Sequence, residues 1–225
     1  MMRTLSLISV GLYAALSWPV AAGGDSLLQA ARTAVGGDAL QRVHSLQVDF
    51  TGEGAGMDFR LPDDFRLRTG YVDHILQGAA FRQSRKLPDN IKAEAHARTE
   101  FTFAVNAIKY LLAVPAVLDI RVVPSAPRTV DGLGPVDVVA FEGQRGFKFD
   151  LFLHRSTHMP LGSESMLPME GGVLHKVTGR YEDYREVDGV KFPFVTKSVQ
   201  RGYPQTTAVS AIRVNPDLSA AFGGD

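Results

Sequence analysis

The chain has 225 residues, no cysteine, and 24 basic against 24 acidic side chains. Without cysteine there are no disulfides, thiolate metal ligands or cysteine nucleophiles. A formal net charge of zero gives no electrostatic reason to expect nucleic acid or an anionic lipid surface as partner. A chain of this length can bury a substantial core as one domain without covalent staples.

The first elements in chain order are an address. Met1-Met2-Arg3 is followed by an apolar stretch from Leu5 to Trp18 and then Pro19-Val20-Ala21-Ala22. A short basic start, an apolar run too short to span a bilayer comfortably and small residues before the cut predict a cleavable secretory signal over residues 1–22. Residues 23–225 are then a single exported domain, soluble in the periplasm after cleavage.

Asp25 or Ser26 can cap a helix through Leu27, Leu28, Ala31 and Val35, which Gly36-Gly37 stops, and Asp38 can cap a further turn through Leu40 and Val43. The period then changes from helical to alternating. Leu46, Val48 and Phe50, then Met57, Phe59 and Leu61, then Phe65, Leu67 and Thr69 alternate with polar neighbours, as half-buried strands do. One helical segment, Ile91–Val114, interrupts the strands, with Phe101, Ala104, Val105, Ile108, Leu111 and Leu112 at three-to-four spacing and Pro115 as its stop. Strands resume at Leu118–Val123, Val136–Glu142 and Phe147–Leu153. A loop is expected over Gly162–Gly172, before a strand from Val173 to Tyr184. Asp188-Gly189 marks a hairpin, and Ala208–Val214 is a last strand. The fold class expected is mainly β (α+β), with about nine to eleven strands joined by antiparallel meanders.

No catalytic constellation is visible. His154 and His158 flank a tight turn but lack a third ligand at a matching position, and two exposed turn histidines are the simpler reading. Gly162-Ser163-Glu164-Ser165 lacks the second glycine of a nucleophile elbow. Asp63-Asp64 and Glu182-Asp183 are neighbours in sequence, and neighbours on a strand point to opposite faces. Val35-Gly36-Gly37-Asp38 is a helix stop and not a phosphate cradle. No cofactor is implied. The thirteen phenylalanines spread along strands and long helix are the conspicuous feature. They are either ordinary core or the lining of an apolar cavity.

Several segments in order resemble the exported lipoprotein-carrier superfamily (LolA/LolB-like). They are Leu27–Arg32 with Gly36–Leu40, Ser45–Val48, Leu61–Arg66, Tyr184–Pro193, and Ile212–Leu218 with Phe222. The resemblance implies an unclosed antiparallel half-barrel with helices covering its concave face. It also implies an apolar cavity that accepts acyl chains or a lipidated partner, served by a membrane-bound donor or acceptor. The chain departs from the anchored members, having no lipidation cysteine, and no arginine matches the one that controls cavity opening in the carriers. On this reading the helix Ile91–Val114 is a lid, and Phe50, Phe59, Phe101, Ile108, Phe149, Tyr181 and Phe192 are the expected cavity lining. The ligand is a lipid, a lipoprotein or another hydrophobic molecule. The alternatives are a non-catalytic interaction module of an envelope complex with a packed interior, and a hydrolase without a local motif.

Overall fold

The structure is a computed structural model that describes residues 23–85, 88–168 and 173–223. The expected signal, residues 1–22, lies outside the described residues. The chain enters as α1 (Gly24–Val35), which buries Leu28, Ala31 and Val35 on one face. Gly36 ends it, its N–H donating to the Arg32 carbonyl. A Cβ there would stand 3.1 Å from the Gly189 carbonyl oxygen and 3.2 Å from the Val190 Cα, so any larger residue would have to push the Asp188-Gly189 hairpin back by a few tenths of an ångström. A single turn, α2 (Asp38–Gln41), follows.

Five strands then form a meander: β1 (Ser45–Phe50), β2 (Ala55–Arg60), β3 (Asp64–Thr69), β4 (Asp73–Gln77) and β5 (Ala80–Gln83). The long helix α3 (Asp89–Leu111) comes next. The second run comprises β6 (Arg121–Val123), β7 (Arg128–Val130), β8 (Gly134–Glu142), β9 (Lys148–His154), β10 (Pro160–Pro168), β11 (Leu174–Val187), β12 (Val190–Gln200) and β13 (Tyr203–Val214), before the final turn α4 (Ser219–Phe222). Neighbours across the sheet run β5-β4-β3-β2-β1-β13-β12-β11-β10-β9-β8-β6, with β7 also on β8, and every ladder is antiparallel. The last strand returns to pair with the first, Leu46 opposite Val214 and Val48 opposite Ile212, and so joins the two meanders. Edge strands β5 and β6 do not pair with one another, so the sheet is an unclosed half-barrel.

This topology bears on where α3 goes. The chain leaves β5 at one edge of the sheet and enters β6 at the other, and the connection crosses the concave side, where α3 joins the main apolar cluster. The helix begins after Pro88 and stops at Leu112, which adopts a left-handed φ of 47° and donates its N–H to the Ala107 and Ile108 carbonyls.

Thirteen strands among the described residues replace the nine to eleven expected. The extra ones are short or weakly patterned: β4, β5, β7, and above all β10, which occupies most of the segment expected as a loop from Gly162 to Gly172. Its inward positions, Ser163 and Ser165, are small and polar instead of apolar, so alternation does not reveal it. Both are nonetheless buried, opposite Leu151 and Phe149 of β9.

The convex face carries two satellite cores and a charge network. Leu218 and Phe222 of the C-terminal segment cover Ile75, while Val130 and Leu133 pack on Val136, Val138 and Phe152. Arg68 bridges Asp49 (2.7 Å) and the buried Asp58 (3.2 Å). Burial alone would raise the Asp49 carboxyl, but hydrogen bonds from Arg68 and Arg213 bring it below the usual carboxylate range. No helix of the described residues is long and apolar enough to cross a membrane.

Candidate ligand-binding interior

Strand alternation sends one set of side chains to the concave side. Leu46 and Val48 stand beside Phe59 and Met57, Phe59 beside Phe65, Phe65 beside Leu76, and Phe141 beside Phe149. These residues belong to one continuous apolar cluster that also takes in α1 and α3. The second half of α3 is buried nearly all round: Phe101, Phe103, Ala104, Ala107, Ile108, Tyr110 and Leu111 are each at most 4% exposed. It therefore sits inside the half-barrel and does not simply rest on its rim.

Two phenylalanines of α3 reach opposite halves of the sheet. Phe103 stacks on Phe65, ring centroids 5.2 Å apart, and lies 6.3 Å from Phe59 on β2. Phe101 meets Phe147, just before β9, edge to face at 5.5 Å. The helix is tied down at two further points. Arg145, in the turn between β8 and β9, pairs with the buried Glu100 at 2.6 Å, and His96 stacks on Phe81 of β5 at 4.7 Å. At its C-terminal end the guanidinium of Arg32 donates two hydrogen bonds, of 3.0 and 2.8 Å, to the Leu112 carbonyl.

Of the residues expected to line a cavity, Phe59, Phe101, Ile108, Phe149, Tyr181 and Phe192 are all buried in this cluster. Phe50 sits at an irregularity between Asp49 and Phe50 in the β1–β13 ladder and is partly buried against the same cluster. Phe103, Phe65, Phe141 and Phe147 join them, although none of the four was among the expected lining. The helical stripe through Phe101 and Ile108 omits Phe103, because one stripe describes a helix with one buried face and this helix buries several.

One end of the interior is polar. The amine of Lys109 lies over the rings of Tyr110 (4.5 Å) and Tyr181 (5.4 Å), while part of the residue stays accessible. Burial lowers its pKa to about 7. The Tyr181 hydroxyl bonds the Ser163 hydroxyl at 2.7 Å, and that of Tyr184 donates to the Pro160 carbonyl at 2.9 Å. The Tyr110 hydroxyl is buried without a partner. Burial raises all three phenols, and for Tyr110 and Tyr184 their proximity to neighbouring tyrosines adds to it. Tyr181 and Tyr184 are three residues apart on one strand and would ordinarily face opposite ways. Asp183 between them takes a φ of 53° and drops out of the ladder to β12, which turns the pleat and brings both tyrosines inward. A lone lysine inside the apolar run Phe101–Val114 was the sequence signal for this pole.

Of the expected turn pair only one histidine is exposed: His158 is half-buried and its Nδ1 has no hydrogen-bond partner. His154 is exposed and accepts the N–H groups of Ser156 and Thr157 on Nδ1.

The half-barrel with a helix through its mouth has a counterpart among solved structures. A LolA superfamily protein from Nitrosomonas europaea superposes with a TM-score of 0.52 over 91% of this chain and 99% of its own, at 13% identity. The fold is LolA-like. An outer membrane lipoprotein-sorting protein domain from Vibrio parahaemolyticus (TM-score 0.43, 13% identity, 89% of this chain and 97% of that one) is also similar. So is a DUF1329 family protein from Desulfovibrio piger (0.44, 9%, 89% and 97%). No family model matches the chain, and no curated protein matches it at a significant level.

Proposed function

We propose that this chain is a periplasmic carrier that holds a lipid, a lipoprotein's acyl chains or another hydrophobic ligand on the concave face of its half-barrel. The supporting observation is that a helix, not a strand, closes the apolar interior. Phe59, Phe149 and Phe192 keep their inward direction through the sheet ladders whether α3 is in place or not, so displacing the helix uncovers a ready apolar surface. Phe50, Phe101, Ile108 and Tyr181 complete the proposed lining. In the closed state α3 occupies the place of the ligand, and an acyl chain exchanges with its aromatic side chains. At about 25 cal/mol per Å², a few hundred Å² of buried acyl surface supplies several kcal/mol before ordering costs. That suits reversible loading. A membrane-bound donor and acceptor are the natural partners of a domain that encloses its cargo between two membranes.

The absence of native cysteine makes the test clean. In a Glu100→Cys/Arg145→Cys variant, a short bismaleimide bridge fixes α3 to the turn between β8 and β9. The unbridged variant is expected to bind a fluorescent fatty acid, and the bridged one to lose at least most of that binding. Equal binding with and without the bridge overturns the helix as lid. Failure of the unmodified chain to bind any acyl ligand, or to retain lipid when purified from its own periplasm and examined by native mass spectrometry, overturns the carrier reading itself.

A further inference from the structure

The interior contains two polar groups that the fold leaves unused. Lys109 presents its amine to two ring faces, and among the described residues no carboxylate lies within ion-pair distance of it. The Tyr110 hydroxyl beside it is on a residue 2% exposed and has no hydrogen-bond partner. A half-buried cation without a counter-ion and a buried donor without an acceptor are both unfavourable in a largely apolar setting. A single anionic oxygen group would satisfy both, since a charge-assisted bond from an amine and a second from a phenol are what such a group accepts. Tyr181 and Tyr184 flank the same spot with hydroxyls already bound to Ser163 and Pro160, so they wall it without competing for it.

The position of this pole along α3 is equally informative. The N-terminal half of the helix is loosely seated: Ile91, Lys92 and Ala93 are exposed and Glu94 to Ala97 only half-buried. The C-terminal end is held through Arg32 on the Leu112 carbonyl and is buried among the strands. Segments with few buried contacts open first, so the helix swings from its N-terminal side and pivots near Lys109. Opening removes Phe101 and Phe103 from the half-barrel while leaving the polar pole in place at its closed end.

Building on the carrier reading, we propose that Lys109 and Tyr110 form a head-group subsite, and that the ligand is a single-chain amphiphile with an anionic oxygen head, carboxylate or phosphate monoester. The head sits on the Lys109 amine and the Tyr110 hydroxyl, and the chain runs along the Phe59, Phe65 and Phe149 surface that α3 vacates. A bound anion favours the ammonium form, so loading is accompanied by proton uptake at Lys109.

The test compares oleate, oleyl phosphate and oleyl alcohol by titration calorimetry on the unmodified domain, Lys109→Met and Tyr110→Phe. At least one anionic ligand is expected to bind about tenfold or more tightly than the alcohol, the increment of one charge-assisted contact, and the better of the two identifies the head. That ratio collapses toward one in Lys109→Met and falls several-fold in Tyr110→Phe. Neither substitution endangers folding, because each removes an unpartnered polar atom from the interior. A second readout follows the Lys109 side-chain carbon resonance, whose titration midpoint moves up from about 7 on loading. If the alcohol binds as tightly as both anions, or Lys109→Met leaves the ratio unchanged, the subsite is overturned while the carrier reading stands. If no oleyl compound binds at all, the carrier reading falls with it.

Discussion

Burial of the Lys109 amine between two tyrosine rings favours its neutral form, and this fixes a sign for stability against pH. The folded state releases that proton near pH 7, the unfolded state near the ordinary lysine value of 10.5. Between these values the unfolded chain binds more protons than the folded one, so stability rises with pH through this window. Below about pH 7 the amine is charged in both states and the cost of burying it is complete. Thermal melts of the unmodified protein should therefore climb from pH 7 to 9.5. Lys109→Met should flatten that rise, worth at most a few kcal/mol, and raise the melting temperature most at pH 7. Asp49 gives a slope of the same sign at the acid end: its depressed carboxyl stabilises the fold above the ordinary carboxylate range, and the contribution fades as pH falls below it. Lys109 was visible in the sequence as a charge in an apolar run. Its ring-faced setting was not, because that depends on Tyr181, seventy-two residues away on a strand turned by Asp183.

At the scale of the element, α3 is the piece whose seating decides access to the interior. Its covalent ends are connections to two edge strands, and its lateral hold rests on the Phe101 and Phe103 contacts, the His96–Phe81 stack and the Glu100–Arg145 pair. Glu100 is far more buried than Arg145, so removing the arginine leaves a carboxylate in a poor environment. Arg145→Ala should destabilise the closed helix by about 1–3 kcal/mol, the range for a buried group losing its partner. Hydrogen exchange should report this as faster exchange of the amides from Ile91 to Thr102, with the β1–β2 and β8–β9 ladders still protected. Uniform acceleration across all strands would show that the pair stabilises the whole fold instead of latching one helix. The spacing of apolar residues located this helix to within a few residues of its observed ends, since three-to-four periodicity is a local property. The pairing of Glu100 with Arg145 joins residues 45 positions apart and has no local signature.

Across the whole molecule, one apolar cluster runs from β4 through α3 to β9, so the two meanders do not have independent cores. Phe103 stands where the first meander meets the helix. Phe103→Ala should cost about 3–5 kcal/mol, as large aromatic deletions in close-packed interiors do. In urea the midpoint should fall while the slope stays constant and the transition stays single. Two separated transitions would mean that the halves of the sheet are energetically distinct.

The sequence by itself determined the alternation of strands, the helical interruption and its stop, the Gly36 and Asp188-Gly189 turns, and a β-rich class without covalent staples. Each follows from patterns spanning a few residues, where backbone periodicity and turn chemistry dominate. It under-counted the strands, because β4, β5, β7 and β10 are short or carry polar residues at inward positions, and only their hydrogen-bonded neighbours reveal them as strands. The tertiary structure alone decided that α3 threads the mouth of the half-barrel and that a lysine and three tyrosines collect at one end of it. Strand order sets both, and strand order is fixed by which distant segments pair to satisfy their backbone groups.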